Sequence, residues 1–467
     1  MADKKKTEAQ LLKEQLCYIP KNAGEIIDDS EWEKAQLFSE GYKKFLDMAK
    51  TEREAVDMTI SMAREKGFRE FDPRIQYKAG DRIFYNNRGK AIILCTVGTE
   101  PLENGLKIVA SHIDAPRIDL KPRPLYEEAQ LAMFKTHYYG GIKKYQWTTI
   151  PLSLHGVVVR ADGQKISVVI GEDEGDPVFT ITDLLPHLAS EQMQRKGVDI
   201  IKGEGLNVLV GGRMFRDDKE SERVKLAVLK LLNEKYGMTE ADFLTAELTM
   251  VPAFKAVDVG LDRSFVGAYG HDDRVCAYTS LMAALDNNKP SRTVVTVLAD
   301  KEEIGSEGNT GLQSKYLQYF IEDLAAAHGL TGRMVLSKST CLSADVNAAF
   351  DPTYGDVHEK NNACYVNYGV VVTKYTGARG KSSTSDASAE FMGEVSRMLN
   401  AAKVQWQTGE LGKVDAGGGG TVAMYIAALN VDVVDIGVPV LSMHSPFEVA
   451  AKSDIYQTYR AFSAYQK

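Results

Sequence analysis

A chain of 467 residues is too long for a single compact core, so two domains are expected. Its 44% hydrophobic and 26% charged residues are an ordinary globular composition and exclude a disordered chain. A formal charge of -8, with no basic run longer than Lys4-Lys5-Lys6, excludes a dedicated nucleic-acid binder.

From the N-terminus, Trp32, Ala35, Phe38 and Tyr42, then Ala55, Met58, Met62 and Ala63, recur at helical spacing. They predict two amphipathic helices between about 30 and 66. Strand-like runs follow at 82–85, 91–97 and 106–111, and Arg88-Gly89 turns the first pair into a hairpin. The middle of the chain is different. Segments 152–160 and 165–170 are β-rich and joined by Asp162-Gly163, a strong hairpin signal. Residues 171–177 form an acidic loop, and 219–236 reads as a helix. From about 247 strands alternate with helices again: a helix at 272–285, a buried strand at 293–298 and a helix at 311–328. Further elements follow at 334–337, 365–375, 433–438 and 443–459. Parallel strands need crossovers, and helices supply them. The expected fold class is therefore α/β, a mixed sheet flanked by helices built from 1–124 and 251–467, interrupted by a β-rich insert at 125–250. No internal repeat is visible, and the single glycine run, 417–420, suits a tight turn or a close backbone approach.

The cysteines Cys17, Cys95, Cys276, Cys341 and Cys364 are scattered, odd in number and without a C-x-x-C pair, as in a reducing compartment. The first residues are charged rather than apolar, and no window approaches the roughly 20 apolar residues of a membrane span. A cytoplasmic protein with no membrane partner is expected.

The strongest chemical signal is Asp300-Lys-Glu-Glu-Ile-Gly-Ser306, directly after a buried strand. Open α/β sheets place their active sites beyond such strand ends. Adjacent carboxylates there repel one another unless a proton or a cation compensates them. A metal would let one glutamate bind while the other acts as a base. Ser111-His112-Ile-Asp114 also follows an apolar run, and in an extended segment Asp114 shares a face with His112. A carboxylate holding a ligand histidine is a common device around metals. Ser343-Ala-Asp345 and Ser442-Met-His444-Ser-Pro446 stand at comparable places, and Gly270-His-Asp272-Asp273-Arg274 opens a helix with a carboxylate able to bridge two ions. Taken singly, each has a plain explanation as a turn, a cap or a structural histidine. Together they form the donor set of a hard-to-borderline divalent cation.

On these motifs the chain resembles the aspartyl aminopeptidases, a family of dinuclear zinc exopeptidases. The similarity runs from about Gly41 to the C-terminus, with S-H-I-D-A-P, H-D-D-R, D-K-E-E-I-G-S, S-A-D-V-N-A-A-F-D-P-T-Y and S-M-H-S-P in the family order. The resemblance implies a metal-dependent aminopeptidase acting on peptides with free N-termini by water activated at two divalent ions. Zinc is the expected metal, and cobalt or manganese also suit the donors. It implies that His112, Asp272 and Asp345 hold one ion, that Asp272, Glu303 and His444 hold the other, that Glu302 is the general base, and that Asp114 orients His112. A cis peptide is implied at Asp272-Asp273, while His271 and Asp273 flank the match and are not taken as ligands. The insert would serve dimerisation within a larger homo-oligomer, a dodecamer built from dimers. Within it, Thr182-Asp-Leu-Leu-Pro-His187-Leu matches the stretch whose histidine reaches a neighbouring active site.

The chain departs from the family pattern at Ile113 and Ala115, and Tyr139-Gly-Gly-Ile142-Lys143 lacks a third glycine. The family lysine associated with acidic side chains falls, counted from Gly369, on Thr373. That leaves Lys374, Arg379 and Lys381 as sources of positive charge for an N-terminal Asp or Glu. The alternatives are another dinuclear amidase or deacylase, or a non-catalytic oligomeric scaffold on the same fold. A nucleotide site at Gly380-Lys381-Ser382 is excluded because the phosphate-loop pattern needs glycine where Tyr375 stands.

Overall fold

Four short hydrophobic runs form the centre of a nine-stranded sheet in the computed structural model, which describes residues 6–217 and 219–467. Lys4 and Lys5 of the N-terminal lysine run lie outside the described residues. Val294–Ala299, Lys107–His112, Thr340–Ala344 and Asp432–Gly437 lie side by side and parallel. Nearly continuous apolar runs of this kind are strands covered on both faces. Ala91–Thr96 and Val370–Thr373 flank them antiparallel, so the sheet is mixed. The alternation of side chains along each strand divides the core in two. Val109, Leu298, Leu342 and Val434 pack with helices Asp29–Met48, Glu52–Glu65, His271–Asp286, Ala389–Ala401 and Lys452–Gln466. Ile108, Val297, Cys341 and Val433 pack with Tyr316–Ala326, Gly332–Leu336 and Ala423–Ala427 on the other side. The N-terminal helices are capped as their sequences dictate. Asp28 accepts the Glu31 N–H at 2.9 Å, and Thr51 with Glu54 forms a capping box.

A second sheet of seven antiparallel strands takes up the chain between Arg117 and Pro252. Helix Arg223–Tyr236 covers it over a core that includes Phe134, Leu154, Val208 and Leu232. A buried polar network holds this sheet against helix Glu52–Glu65. His155 sits between Glu54 at 2.7 Å and Glu172 at 3.1 Å, while Lys50 donates to Glu172 and to the Pro252 carbonyl, each at 2.7 Å. A five-stranded sheet is assembled from distant pieces in the order Val257–Val259, Phe265–Ala268, Glu448–Ala451, Pro439–Leu441, Asn347–Ala348. No helix among the described residues is long and apolar enough to cross a membrane.

Several elements differ from the local pattern. The helix expected at 219–236 begins at Arg223, because Glu222 ahead of it takes a left-handed φ of 50°. The helix expected at 311–328 begins at Tyr316. Gly311 lies so close to the Ser306 carbonyl that a Cβ would stand 2.1 Å from it, and that contact folds 306–315 into a loop. Segment 334–337 belongs to the short helix Gly332–Leu336, and the strand that carries Asp345 at its end is Thr340–Ala344. After His444 the chain enters the strand Glu448–Ala451 before the helix Lys452–Gln466. That strand pairs with Phe265–Ala268, a partner about 180 residues away that no local periodicity reports.

Candidate metal centre

The parallel strands end together. Lys107–His112 ends on His112, Val294–Ala299 leads into Asp300 and the glutamates, and Thr340–Ala344 leads into Asp345. Asp272 arrives from the first turn of His271–Asp286, and His444 from the turn between Pro439–Leu441 and Glu448–Ala451. The Asp272-Asp273 peptide is cis.

Asp272 stands in the middle of the group. Its Oδ1 is 3.2 Å from His112 Nε2 and its Oδ2 is 3.1 Å from His444 Nε2. Around His112 Nε2 lie Glu302 Oε2 at 3.8 Å and Asp345 Oδ1 at 4.0 Å, and around His444 Nε2 lies Glu303 Oε2 at 3.8 Å. The structure thus brings His112, Asp272, Asp345, Glu302, Glu303 and His444 together. Asp273 also approaches His112 and Asp345, and its Oδ2 accepts the His112 backbone N–H at 3.4 Å. His271 is turned away, with its ring nitrogens beside the Tyr42 hydroxyl at 2.8 Å and the Val266 carbonyl at 3.0 Å. Burial pushes it down to about 4, so it is neutral.

The outer nitrogens fix both imidazole tautomers. His112 Nδ1 donates to the Asp114 backbone carbonyl at 3.0 Å, with the Asp114 carboxylate 3.3 Å away, and His444 Nδ1 donates to the Gly141 carbonyl at 2.8 Å. Each Nε2 then faces carboxylate oxygens, with room for one positive species between them. Acceptors facing acceptors are held only by a proton or a cation between them. The electrostatics agree. Burial pushes the Glu303 and Asp345 carboxyls well above the usual range, with Asp272 and Asp273 respectively adding to the repulsion. Burial also pushes Glu302 up to about 7 against the pull of His112. At His444 burial is outweighed by Asp272 and Glu303, which lift the ring to about 10. Glu303 Oε1 is buried with no hydrogen-bond partner. The donor set therefore fits divalent cations, whose charge would relieve the repulsion and occupy these oxygens.

Asp114 works mainly through backbone groups rather than on the His112 ring alone. Its carboxylate accepts the N–H of Glu302 at 3.1 Å, the N–H of Glu303 at 3.2 Å and the Tyr139 hydroxyl at 2.8 Å. Tyr139 and Gly141 come from the seven-stranded unit, which thereby forms one wall of the site. Sequence reasoning passed over Tyr139, Gly141, Gly437 and Glu448 as site residues. Gly437 had no local signal at all. A Cβ there would lie 1.8 Å from the Asp345 carbonyl oxygen, so Gly437→Ala must move Asp345. A displacement of about 1 Å in such a site costs about 10²-fold. A loss of that size in kcat/KM with the Gly437→Ala enzyme is expected, and unchanged kinetics would show that Asp345 tolerates the shift.

His187 is not among the converging groups and lies on the exposed turn Pro186–Leu188. Lys374 and Lys381 are both paired with Asp386, at 2.5 and 3.0 Å, and Arg379 is exposed.

Residues 45–466 match the family described as aminopeptidase I zinc metalloprotease (M18). A probable M18 family aminopeptidase 1 of Clostridium acetobutylicum is 48% identical over 95% of this chain and 97% of its own length. The crystal structure of an M18 aminopeptidase from Thermotoga maritima superimposes with a TM-score of 0.91 at 44% identity, over 96% of this chain and 99% of that one. More distantly, a yeast aminopeptidase 1 solved as a dodecamer shares the fold, with a TM-score of 0.73 at 19% identity over 94% of this chain and 97% of that one. The mixed α/β fold, the carboxylate and histidine cluster and this likeness along nearly the whole chain agree: the chain belongs to the M18 family of zinc metalloproteases and is a metal-dependent aminopeptidase, a hydrolase of the exopeptidase class.

Proposed function

We propose that the enzyme binds two divalent cations, one among His112, Asp272 and Asp345 and the other among Asp272, Glu303 and His444, with Asp272 shared. The convergence of two imidazole Nε2 atoms on the two oxygens of one buried aspartate carries this reading. Zinc suits these donors, as do cobalt and manganese. When bound, such ions polarise the scissile carbonyl and acidify the attacking water. Glu302 takes the proton from that water and returns it to the leaving amine. Asp114 keeps Glu302 and Glu303 in register by accepting both of their backbone N–H groups. The surrounding carboxylates give the positive α-amino group of a peptide its counter-charge, which favours cleavage after the first residue.

We infer further that the insert expected at 125–250, whose sheet reaches from Arg117 to Pro252, forms a dimerisation unit inside a catalytic domain made of the chain on either side, and that the protein is a homo-oligomer, as the yeast dodecamer is. Leu188, Met193 and Val198 are 68–70% exposed in this unit, an apolar surface of the kind that subunit contacts cover. His187, beside Leu188, is the group offered to the active site of a second copy, where it would donate a hydrogen bond to the oxyanion. Loss of one such donor costs about 10²–10³-fold in kcat. His187→Ala is expected to show that loss with its zinc content unchanged, and full activity would remove His187 from the mechanism.

In this reading the side chain of an N-terminal Asp or Glu meets Lys374, Arg379 and Lys381. Lys374 and Lys381 are already held by Asp386, and all three of these groups are more than 40% exposed. An exposed ion pair is worth about 0–1 kcal/mol, so the preference for acidic residues should stay below about fivefold. The test is a mixed peptide library, half of it N-acetylated, followed by mass spectrometry with and without a chelator. Single residues should leave free N-termini only, and the chelator should stop the reaction. Cleavage confined to acetylated peptides or to C-termini would overturn the substrate class.

A further inference from the structure

Glu448 is 1% exposed and belongs to a strand otherwise made of Val449, Ala450 and Ala451. It lies opposite Ala268, at the end of the strand that leads into Gly270 and Asp272. A charged side chain is rarely placed in such a strand without partners, and here both oxygens have one. Oε2 accepts the Asp272 backbone N–H at 3.1 Å, and Oε1 accepts the His444 backbone N–H at 2.6 Å. His444 itself holds a left-handed φ of 63° in a turn, a conformation that a non-glycine residue keeps only with support from its surroundings. The one carboxylate therefore joins the backbone of the shared aspartate to that of a histidine four residues before it in sequence.

We propose that Glu448 is a positioning residue that sets the separation of Asp272 and His444, and so governs affinity at the cation position they share with Glu303. This rests on the two-cation reading above. The other position also draws on Asp272, but His112 and Asp345 there have supports of their own. Asp114 holds the His112 ring, and the Asp345 backbone N–H donates to the Ile436 carbonyl at 3.2 Å in the central sheet. Glutamine has the shape of Glu448 but only one acceptor oxygen, so its amide N–H must face one of the two backbone donors. Aspartate keeps both oxygens but is one methylene too short to reach both donors.

The test is graded chelation of the full-length holoenzyme, with zinc counted per chain after each step, for the wild type, Glu448→Gln and Glu448→Asp. Changes to groups that support metal ligands typically cost 10–100-fold in affinity. The wild type should release zinc in two steps, and both variants should lose one ion at about 10–100-fold lower chelator strength, with a smaller loss of affinity for the other, which keeps His112 and Asp345 in place. The zinc concentration that restores half of full activity should rise by the same factor. Two ions in the wild type, with unchanged or equally weakened binding of both in the variants, would overturn the role of Glu448 alone. A wild type that holds a single ion would instead overturn the two-cation reading, and this proposal with it. If Glu448→Gln does not fold, Glu448→Asp is read by the same criteria.

Discussion

Glu302→Gln is expected to keep its full zinc content and lose about 10²–10⁴-fold in kcat, the usual contribution of a positioned general base. The variant preserves shape and hydrogen bonding, and the Glu302 backbone N–H remains bound to Asp114. What is removed is the ability to take a proton. Burial sets the Glu302 carboxyl at about 7 without cations, and bound cations stabilise its ionised form and lower it. A base must be ionised to act, so wild-type kcat/KM should fall as pH drops through a value below 7, with a slope of one. In Glu302→Gln that acidic limb should vanish from the residual activity. Zinc analysis beside the pH profile separates this outcome from metal loss. A zinc-replete Glu302→Gln enzyme that keeps near-normal turnover would assign the base elsewhere.

Asp272→Asn tests the centre of the site and should abolish measurable activity through the metal rather than the proton. Each carboxylate oxygen of Asp272 faces one histidine Nε2, at 3.2 and 3.1 Å. An amide replaces one oxygen with a donor and removes the charge that both positions share. Removing one partner from a buried charge pair costs about 3–5 kcal/mol. At 1.4 kcal/mol per decade that is about 10²- to 10³-fold or more in affinity. Zinc per chain should fall below one at concentrations that saturate the wild type, and the overall fold, read by circular dichroism, should persist. Two ions retained at wild-type affinity would show that Asp272 is not shared.

The centre of the fold was readable because its signals are local. The runs at 91–97, 106–111, 293–298 and 433–438 are apolar enough to be buried strands wherever they fall, and each appears as a strand of the nine-stranded sheet. Helix boundaries were less legible at Arg223 and Tyr316, where a left-handed residue and a glycine contact decide the start. The strand Glu448–Ala451 was unreadable, because three small apolar residues before a helix look like its first turn until Phe265–Ala268 is placed beside them. Glu448 did leave a trace, a lone carboxylate in an apolar stretch four residues after His444.

The sequence by itself determined the chemistry on offer: the residue types, their order, and their placement just after buried strands. Hydrophobic run length and motif spacing are properties of the chain alone, and they suffice for that. Only the tertiary structure decided the geometry. It set Asp272 between His112 and His444, which are separated by more than 300 residues, and turned His271 away toward Tyr42. It also gave Asp114 two glutamate backbones to hold and brought in Tyr139 from the second sheet with Gly141 from the bend that follows it. These outcomes depend on parallel strands aligning their carboxyl ends and on backbone N–H and C=O groups finding side-chain partners. Both arise from contacts between distant segments, which a one-dimensional pattern does not carry.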